Sequence, residues 1–281
     1  MEFIYRYGDE SIHVHHARDK SPCPDGNKMH VHVYVHEIYY FISGKGSYFV
    51  EGIEYDLTPG CIMVMKAGET HRRVISPDAV YERISAHIAP EVLEKLEQGE
   101  KLSQLFTDKA LGKNNQYLPK AFNEELVRSC LMSISKYGRS GGNWQKWQHR
   151  MLIQSYIHPV LYEIYRCSGQ QENRFIHNTD TVSRVVEYIN NHLTDDLNID
   201  MLAGMFFISK SYLSNRFKHI TGSTIWEYII IKRLLLAREL IRNGTAATDV
   251  AAYCGWKDYS AFFRRYKERF GVSPVEDRLK K

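Results

Sequence analysis

The tract Ser209-Lys-Ser-Tyr-Leu-Ser-Asn-Arg-Phe-Lys-His-Ile-Thr-Gly222 returns in altered form about fifty residues later, as Asp258-Tyr-Ser-Ala-Phe-Phe-Arg-Arg-Tyr-Lys-Glu-Arg-Phe-Gly271. Each copy opens on a polar residue suited to cap a helix, carries an apolar stripe and a basic flank, and ends on glycine. Each follows a short Ala-containing helical pattern, Ile199 to Phe207 in the first case and Val250 to Cys254 in the second. A duplicated helix-turn-helix joined by a helix confines this part of the chain to an all-α domain. It implies a surface that reads DNA.

The faces of the two copies can be assigned from spacing. Leu213, Phe217 and Ile220 fall at i, i+4 and i+7 behind the Ser209 cap and form one buried stripe. The opposite face carries Lys210, Ser211, Ser214, Asn215 and Lys218. In the second copy Asp258 is the cap and Phe262 and Tyr266 are the buried pair, leaving Tyr259, Ser260, Phe263, Arg264 and Lys267 outward. Small polar side chains suit base-edge hydrogen bonds, an apolar ring such as Phe263 suits a thymine methyl, and lysines suit phosphates. Between the copies, Thr224-Ile-Trp-Glu227 reads as a capping box and Asn243-Gly244 as a stop. A connector of about 18 residues is roughly 27 Å long. That length suits two reading helices held near the ~34 Å repeat of the major groove.

These residues, closed by Phe270-Gly-Val-Ser-Pro274, make the segment resemble the AraC/XylS family of transcription regulators. The resemblance implies one helix in each of two adjacent grooves. By position, it makes Ser211, Ser214, Asn215, Tyr259, Ser260, Phe263 and Arg264 the base readers. It also implies double-stranded DNA, a small-molecule effector and a second copy of the chain as partners, with RNA polymerase as a further candidate. One departure stands out: where the family often has a Tyr directly before the closing Arg, Val275-Glu-Asp277 precedes Arg278.

Charge follows the same division. Residues 179–281 carry 16 Lys and Arg against 12 Asp and Glu, so the whole surplus of +4 lies there. A basic excess confined to the helical part is expected if that part alone meets phosphates. Hydrophobic residues make up 43% and aromatics 12%, which excludes a disordered chain. The five scattered cysteines form no Cys-x-x-Cys, and no signal-peptide pattern opens the chain. We therefore expect reduced thiols, a cytoplasmic location and no membrane partner.

Residues 1–90 alternate in short runs broken by Ser43-Gly-Lys-Gly46, Glu51-Gly52, Thr58-Pro-Gly60 and Ala67-Gly68, the rhythm of a β-sandwich or barrel. His30-x-His32, four residues, Glu37, six residues and Gly44 resembles the first motif of the cupin barrels. Gly60, five residues, Lys66-x-Gly68, two residues and His71 resembles most of the second, with Lys66 and Ile75 replacing a usual Pro and Asn. His30 and His32 share a strand face because the side-chain period is two, and Glu37 and His71 are expected from adjoining strands. This set suits either an organic effector or a divalent first-row metal. His36, His13, His15 and His16 are rival imidazoles, and Tyr34, Tyr39 and Tyr48 are candidate lining residues.

The expected fold is therefore α+β and multidomain. A cupin-like β-barrel sensor spans 1–90, and a helical segment at 91–169 covers the barrel or dimerises. A linker at 170–180 leads to an all-α double helix-turn-helix domain at 181–281. Helices are expected at Glu91–Phe106, Asn123–Lys136 and Trp144–Cys167, with Leu152, Tyr156, Val160, Tyr162 and Ile164 along one stripe. The expected function is sequence-specific transcription regulation under effector control, with no catalytic residues. The alternative is a metal-dependent cupin enzyme, a dioxygenase or isomerase, carrying a DNA-binding tail.

Overall fold

The computed structural model describes residues 1–20, 28–168 and 181–279. The chain divides into two compact units, Met1–Asn178 and Thr179–Lys281. The expected linker, 170–180, lies outside the described residues.

Among its described residues the first unit has ten antiparallel-paired strands. They are β1 (Glu2–Gly8), β2 (Ile12–Asp19), β3 (His30–Val31), β4 (His36–Ser43), β5 (Gly46–Val50), β6 (Ile53–Asp56), β7 (Ile62–Met65), β8 (Thr70–Ile75), β9 (Tyr81–Ile88) and β10 (Gln116–Tyr117). One sheet runs β1-β2-β9-β4-β7-β10 and the other β3-β8-β5-β6. Side-chain alternation sorts each strand between two environments. Tyr39, Phe41, Met63, Met65 and Tyr81 join Tyr48 and Val50 of the smaller sheet in an inner cluster. Their neighbours Ile38, Tyr40, Ile62, Val64, Ile84 and Ala86 face the other way, onto helices.

Those helices are α1 (Pro90–Leu93), α2 (Gly99–Thr107), α3 (Glu124–Ser140) and α4 (Lys146–Ser168). Leu93, Leu102, Leu105, Val127, Leu131, Ile134, Ile153, Ile157 and Ile164 bury against the sheet. The helical segment thus covers the barrel.

Three local expectations are corrected. The helix expected over Glu91–Phe106 is interrupted after Leu93 by a turn that closes at Gln98, whose φ of 57° lies in the left-handed region, and a second helix starts at Gly99. The segment after α2 is not purely helical, because β10 pairs with β7 and extends the large sheet. On α4 the buried face runs through Ile153, Ile157, Val160, Leu161 and Ile164, and Tyr162 is exposed. A stripe read at mixed spacing placed Tyr162 one position out of phase.

The second unit is all-α: α5 (Thr181–Asn191), α6 (Ile199–Met205), α7 (Lys210–Thr221), α8 (Ile225–Arg242), α9 (Ala247–Tyr253), α10 (Tyr259–Phe270) and α11 (Pro274–Leu279). Leu202, Leu213 and Phe217 are buried in the first half, where Phe217 meets Tyr228 edge-on. Leu234, Ala237 and Ile241 of α8 pack with Val250, Ala251, Phe262 and Tyr266 in the second. Helix α8 is therefore the shared spine. Thr224 and Glu227 form the reciprocal capping box at its start.

Candidate metal centre and nucleic-acid interface

His30, His32, Glu37 and His71 offer ligand atoms that all lie within 4.8 Å of one another. His30 and His71 are direct cross-strand partners on β3 and β8. Glu37 comes from β4 in the other sheet, so it meets the histidines across the barrel interior and not from an adjoining strand, as spacing had suggested. Its Oε2 lies 3.4 Å from His32 Nε2 and 3.1 Å from His71 Nε2.

The tautomer of His71 makes this contact informative. Its Nδ1 sits 2.8 Å from the carbonyl of Glu69, which only accepts, so Nδ1 carries the proton. In the neutral ring the Nε2 lone pair then faces a carboxylate oxygen. Both Glu37 Oε2 and His71 Nε2 are buried without a hydrogen-bond partner. Two acceptors at this distance require a proton or a cation between them. Bonds of about 2.0–2.2 Å from three imidazoles and one carboxylate would close the site with small side-chain shifts. The donor set fits a divalent first-row ion.

Electrostatics support ligands in their binding forms. Burial alone pushes Glu37 up, but the charge of His87 and the close approach of His32 and His71 outweigh it, holding the carboxyl well below its usual range. Burial, then the charge of His71, lowers His30 to about 3, so its imidazole is neutral near pH 7.

Motif spacing gave no sign of His87, whose Nε2 lies 3.6 Å from Glu37 Oε1 and whose ring is 4.4 Å from that of His32. Only its parity on β9, inward with Tyr81, could have flagged it. Of the rival imidazoles, His15 reaches the interior beside His87. His36 faces outward, stacked on Phe106 and accepting from the Ala67 amide. His16 bonds Ser135 and Glu82, also away from the cluster. Tyr39 and Tyr48 are interior, whereas Tyr34 is exposed.

In the helical unit, Ser209 caps α7 by accepting from Tyr212 N, and Asp258 caps α10 by accepting from Ser260 N and Ala261 N. Gly222 and Gly271, at φ of 79° and 71°, end the two helices in the left-handed conformation. Lys210, Ser211, Ser214, Asn215 and Lys218 are exposed on α7. On α10, Tyr259, Ser260, Arg264 and Lys267 are exposed and Phe263 is half-buried. Lys210 is engaged by Asp200 of α6, which makes it a tether between the two helices as well as a cation. Tyr212, exposed at the start of α7, is a further candidate contact that residue type alone did not single out.

Two family models match the chain: an AraC-like ligand binding domain over residues 24–128 and a helix-turn-helix domain over residues 202–280. One match falls in each of the two compact units. The chain belongs to the AraC family of transcription regulators. Among curated relatives it is 31% identical over 116 residues to the HTH-type transcriptional activator RhaS of Escherichia coli O157:H7 (strain EC4115 / EHEC), a match spanning 41% of each chain. To RhaS of Shigella sonnei (strain Ss046) it is 23% identical over 248 residues, covering 86% of this chain and 84% of the relative. Solved structures similar to it include ToxT from Vibrio cholerae O395, with 13% identity, 96% and 98% coverage of the two chains and a TM-score of 0.38. The DNA-binding domain of AdpA in complex with a target DNA matches at 27% identity, covering 36% of this chain and 92% of that one, with a TM-score of 0.34. No helix among the described residues is long and apolar enough to cross a membrane.

Proposed function

We propose that this AraC-family chain is a cytoplasmic, sequence-specific regulator of transcription whose barrel binds a small-molecule effector. The observation that carries this reading is the pairing of two capped helices, α7 and α10, each with a polar and basic outward face, in the unit that holds all the net positive charge. Each helix enters a major groove, with Asn215 and Arg264 reading base edges and Lys218 and Lys267 meeting phosphates. Effector control requires that the effector bind two arrangements of the protein with different affinity. The relatives named as activators support the regulatory class.

The test is binding of the full chain to duplex DNA from its own promoter region, followed against salt. Specific binding that weakens steeply as salt rises is expected, because lysines and arginines displace condensed counterions. Binding that is absent, or indifferent to salt, overturns the reading.

A second reading concerns the barrel. The opposed acceptors Glu37 Oε2 and His71 Nε2 favour a divalent metal held by His30, His32, Glu37 and His71. Such an ion would neutralise the carboxylate and fix the ring orientations around the effector. Metal analysis of protein purified without added metal tests it; a stoichiometric redox metal would also reopen the cupin-oxygenase alternative. We further propose a homodimer, supported by exposed Tyr137 on α3 and exposed Trp147, Met151 and Tyr162 on α4. RNA polymerase is a further candidate partner.

A further inference from the structure

Beyond the histidine cluster the barrel interior changes character. On β8 the inward residue after His71 is Arg73, and on β9 the inward residue after Tyr81 is Arg83. Arg83 is only 2% exposed, and its Nη1 has no hydrogen-bond partner. Its Nη2 reaches the sulfur of Met1 at 3.5 Å, a weak acceptor. Both guanidinium groups lie over the ring of Tyr81, Arg83 at 4.4 Å and Arg73 at 5.9 Å.

Three tyrosines complete this end. Arg73 is the cross-strand partner of Tyr48, whose buried hydroxyl also lacks a partner. Tyr39 and Tyr81 bond each other through their hydroxyls at 2.8 Å.

A counter-ion is the missing element. The interior carboxylate Glu37 is taken by His32, His71 and His87. Asp19, beside β9, pairs with the Met1 amino group at 3.5 Å. Among the described residues no carboxylate forms an ion pair with Arg73 or Arg83. A π face offsets part of the cost of burying a guanidinium, but it leaves the Nη1 donors of Arg83 unused. A buried cation with open donors, next to an orphaned hydroxyl donor, is chemically matched to a planar anion.

We propose that Arg73 and Arg83, with the Tyr48 hydroxyl, bind the carboxylate of a small organic acid, and that this acid is the effector class. The assignment rests on the effector reading above. The proposed entry is at the histidine end, where His32 keeps 30% of its side chain exposed and Arg73 is only half-buried. Arg73 and His71 are two residues apart on one strand, so the anion site and the histidine cluster are separated by about 7 Å. A short hydroxy- or dicarboxylic acid spans that gap, placing one carboxylate on the arginines and a second oxygen group at the cluster.

The experiment uses the full chain. Succinate, malate and citrate are titrated by calorimetry and thermal shift, beside ribose and erythritol as neutral probes and inorganic phosphate and ribose 5-phosphate as phosphate probes. At least one carboxylate is expected to bind and raise the melting temperature, with no response to the neutral probes. Arg83→Met should weaken that carboxylate by tenfold or more, Tyr48→Phe should weaken it less, and Arg83→Lys should restore part of the loss. If Arg83→Met does not fold, Arg73→Gln and Tyr48→Phe carry the test, since one is half-buried and the other loses a single oxygen. Binding of neutral sugars alone, preference for the phosphates, or no carboxylate response at millimolar concentration overturns the proposal. Promoter binding by the same preparation separates the outcomes: if it persists, only the effector assignment fails, and if it is absent the regulator reading fails independently.

Discussion

Asp277 occupies the position before the closing Arg where the family often has a Tyr, and it is wholly buried. Arg238 Nη2 donates to its Oδ1 at 3.0 Å, Arg242 Nε to the same oxygen at 3.2 Å, and Tyr266 to Oδ2 at 2.8 Å. Burial alone raises its pKa, but the Arg238 and Tyr266 hydrogen bonds and the arginine charges outweigh that and lower it. A carboxyl depressed in the folded state stabilises above its unfolded pKa, and the contribution is lost as pH falls through the folded value. We expect Asp277→Asn to cost roughly 3–5 kcal/mol, because it strands Arg238 without its counter-charge. Thermal melts should also show the wild-type helical unit losing stability in acid, below the ordinary Asp range, while the variant lacks that component. A variant as stable as the wild type at neutral pH would contradict this account. On α7, Leu213→Ala should destabilise by roughly 2–5 kcal/mol. Asn215→Ala should leave the melt unchanged and lose about 1–3 kcal/mol of discrimination between operator and non-operator DNA. Exchange of those two phenotypes would mean the helix faces are assigned the wrong way round.

At the level of elements, the turn between α6 and α7 holds an anomaly. Phe207 has φ of 55° and is 95% exposed, so a bulky residue sits in the left-handed region with almost no packing to compensate. That conformation costs an L-residue roughly 1–2 kcal/mol, of which the unfolded-state freedom of glycine returns only about 0.5–1 kcal/mol. Phe207→Gly is therefore expected to raise the stability of the helical unit by up to about 1 kcal/mol in a denaturant melt. A drop would show that the ring makes a stabilising contact. Arg233 of α8 has the opposite role. It donates from Nε to Leu193 O at 2.8 Å, from Nη2 to Asp195 O at 2.6 Å and from Nη1 to Gly255 O at 3.2 Å. One side chain thus ties the loop before α6 to the turn before α10, fixing both helix-turn-helix units to the same spine.

For the whole molecule, the division at residue 178 predicts that damage to one unit spares the other. His32 lies in the barrel, and its neighbours Glu37, His30, His71 and His87 are barrel residues too. His32→Ala should abolish or weaken the effector response in a reporter assay while the protein still binds its operator with unchanged salt dependence. Loss of operator binding in a folded His32→Ala protein would argue against separable sensing and reading.

The helical unit was largely legible in the sequence because its information is local. Caps at Ser209 and Asp258, stripes at Leu213–Phe217 and Phe262–Tyr266 and terminal glycines all act within one or two turns, so spacing alone places them. The alternation of the barrel strands was legible for the same reason, and motif spacing singled out His30, His32 and His71, although His32 lies just past the end of β3. Only the tertiary structure brought Glu37 in from the opposite sheet, set His87 and His15 beside it, and turned Arg83 inward with its Nη1 unpartnered. It also joined Asp277 to Arg238 across 39 residues of chain. Those contacts depend on which strands and helices become neighbours, a choice made by global burial of apolar faces, and no local periodicity encodes it.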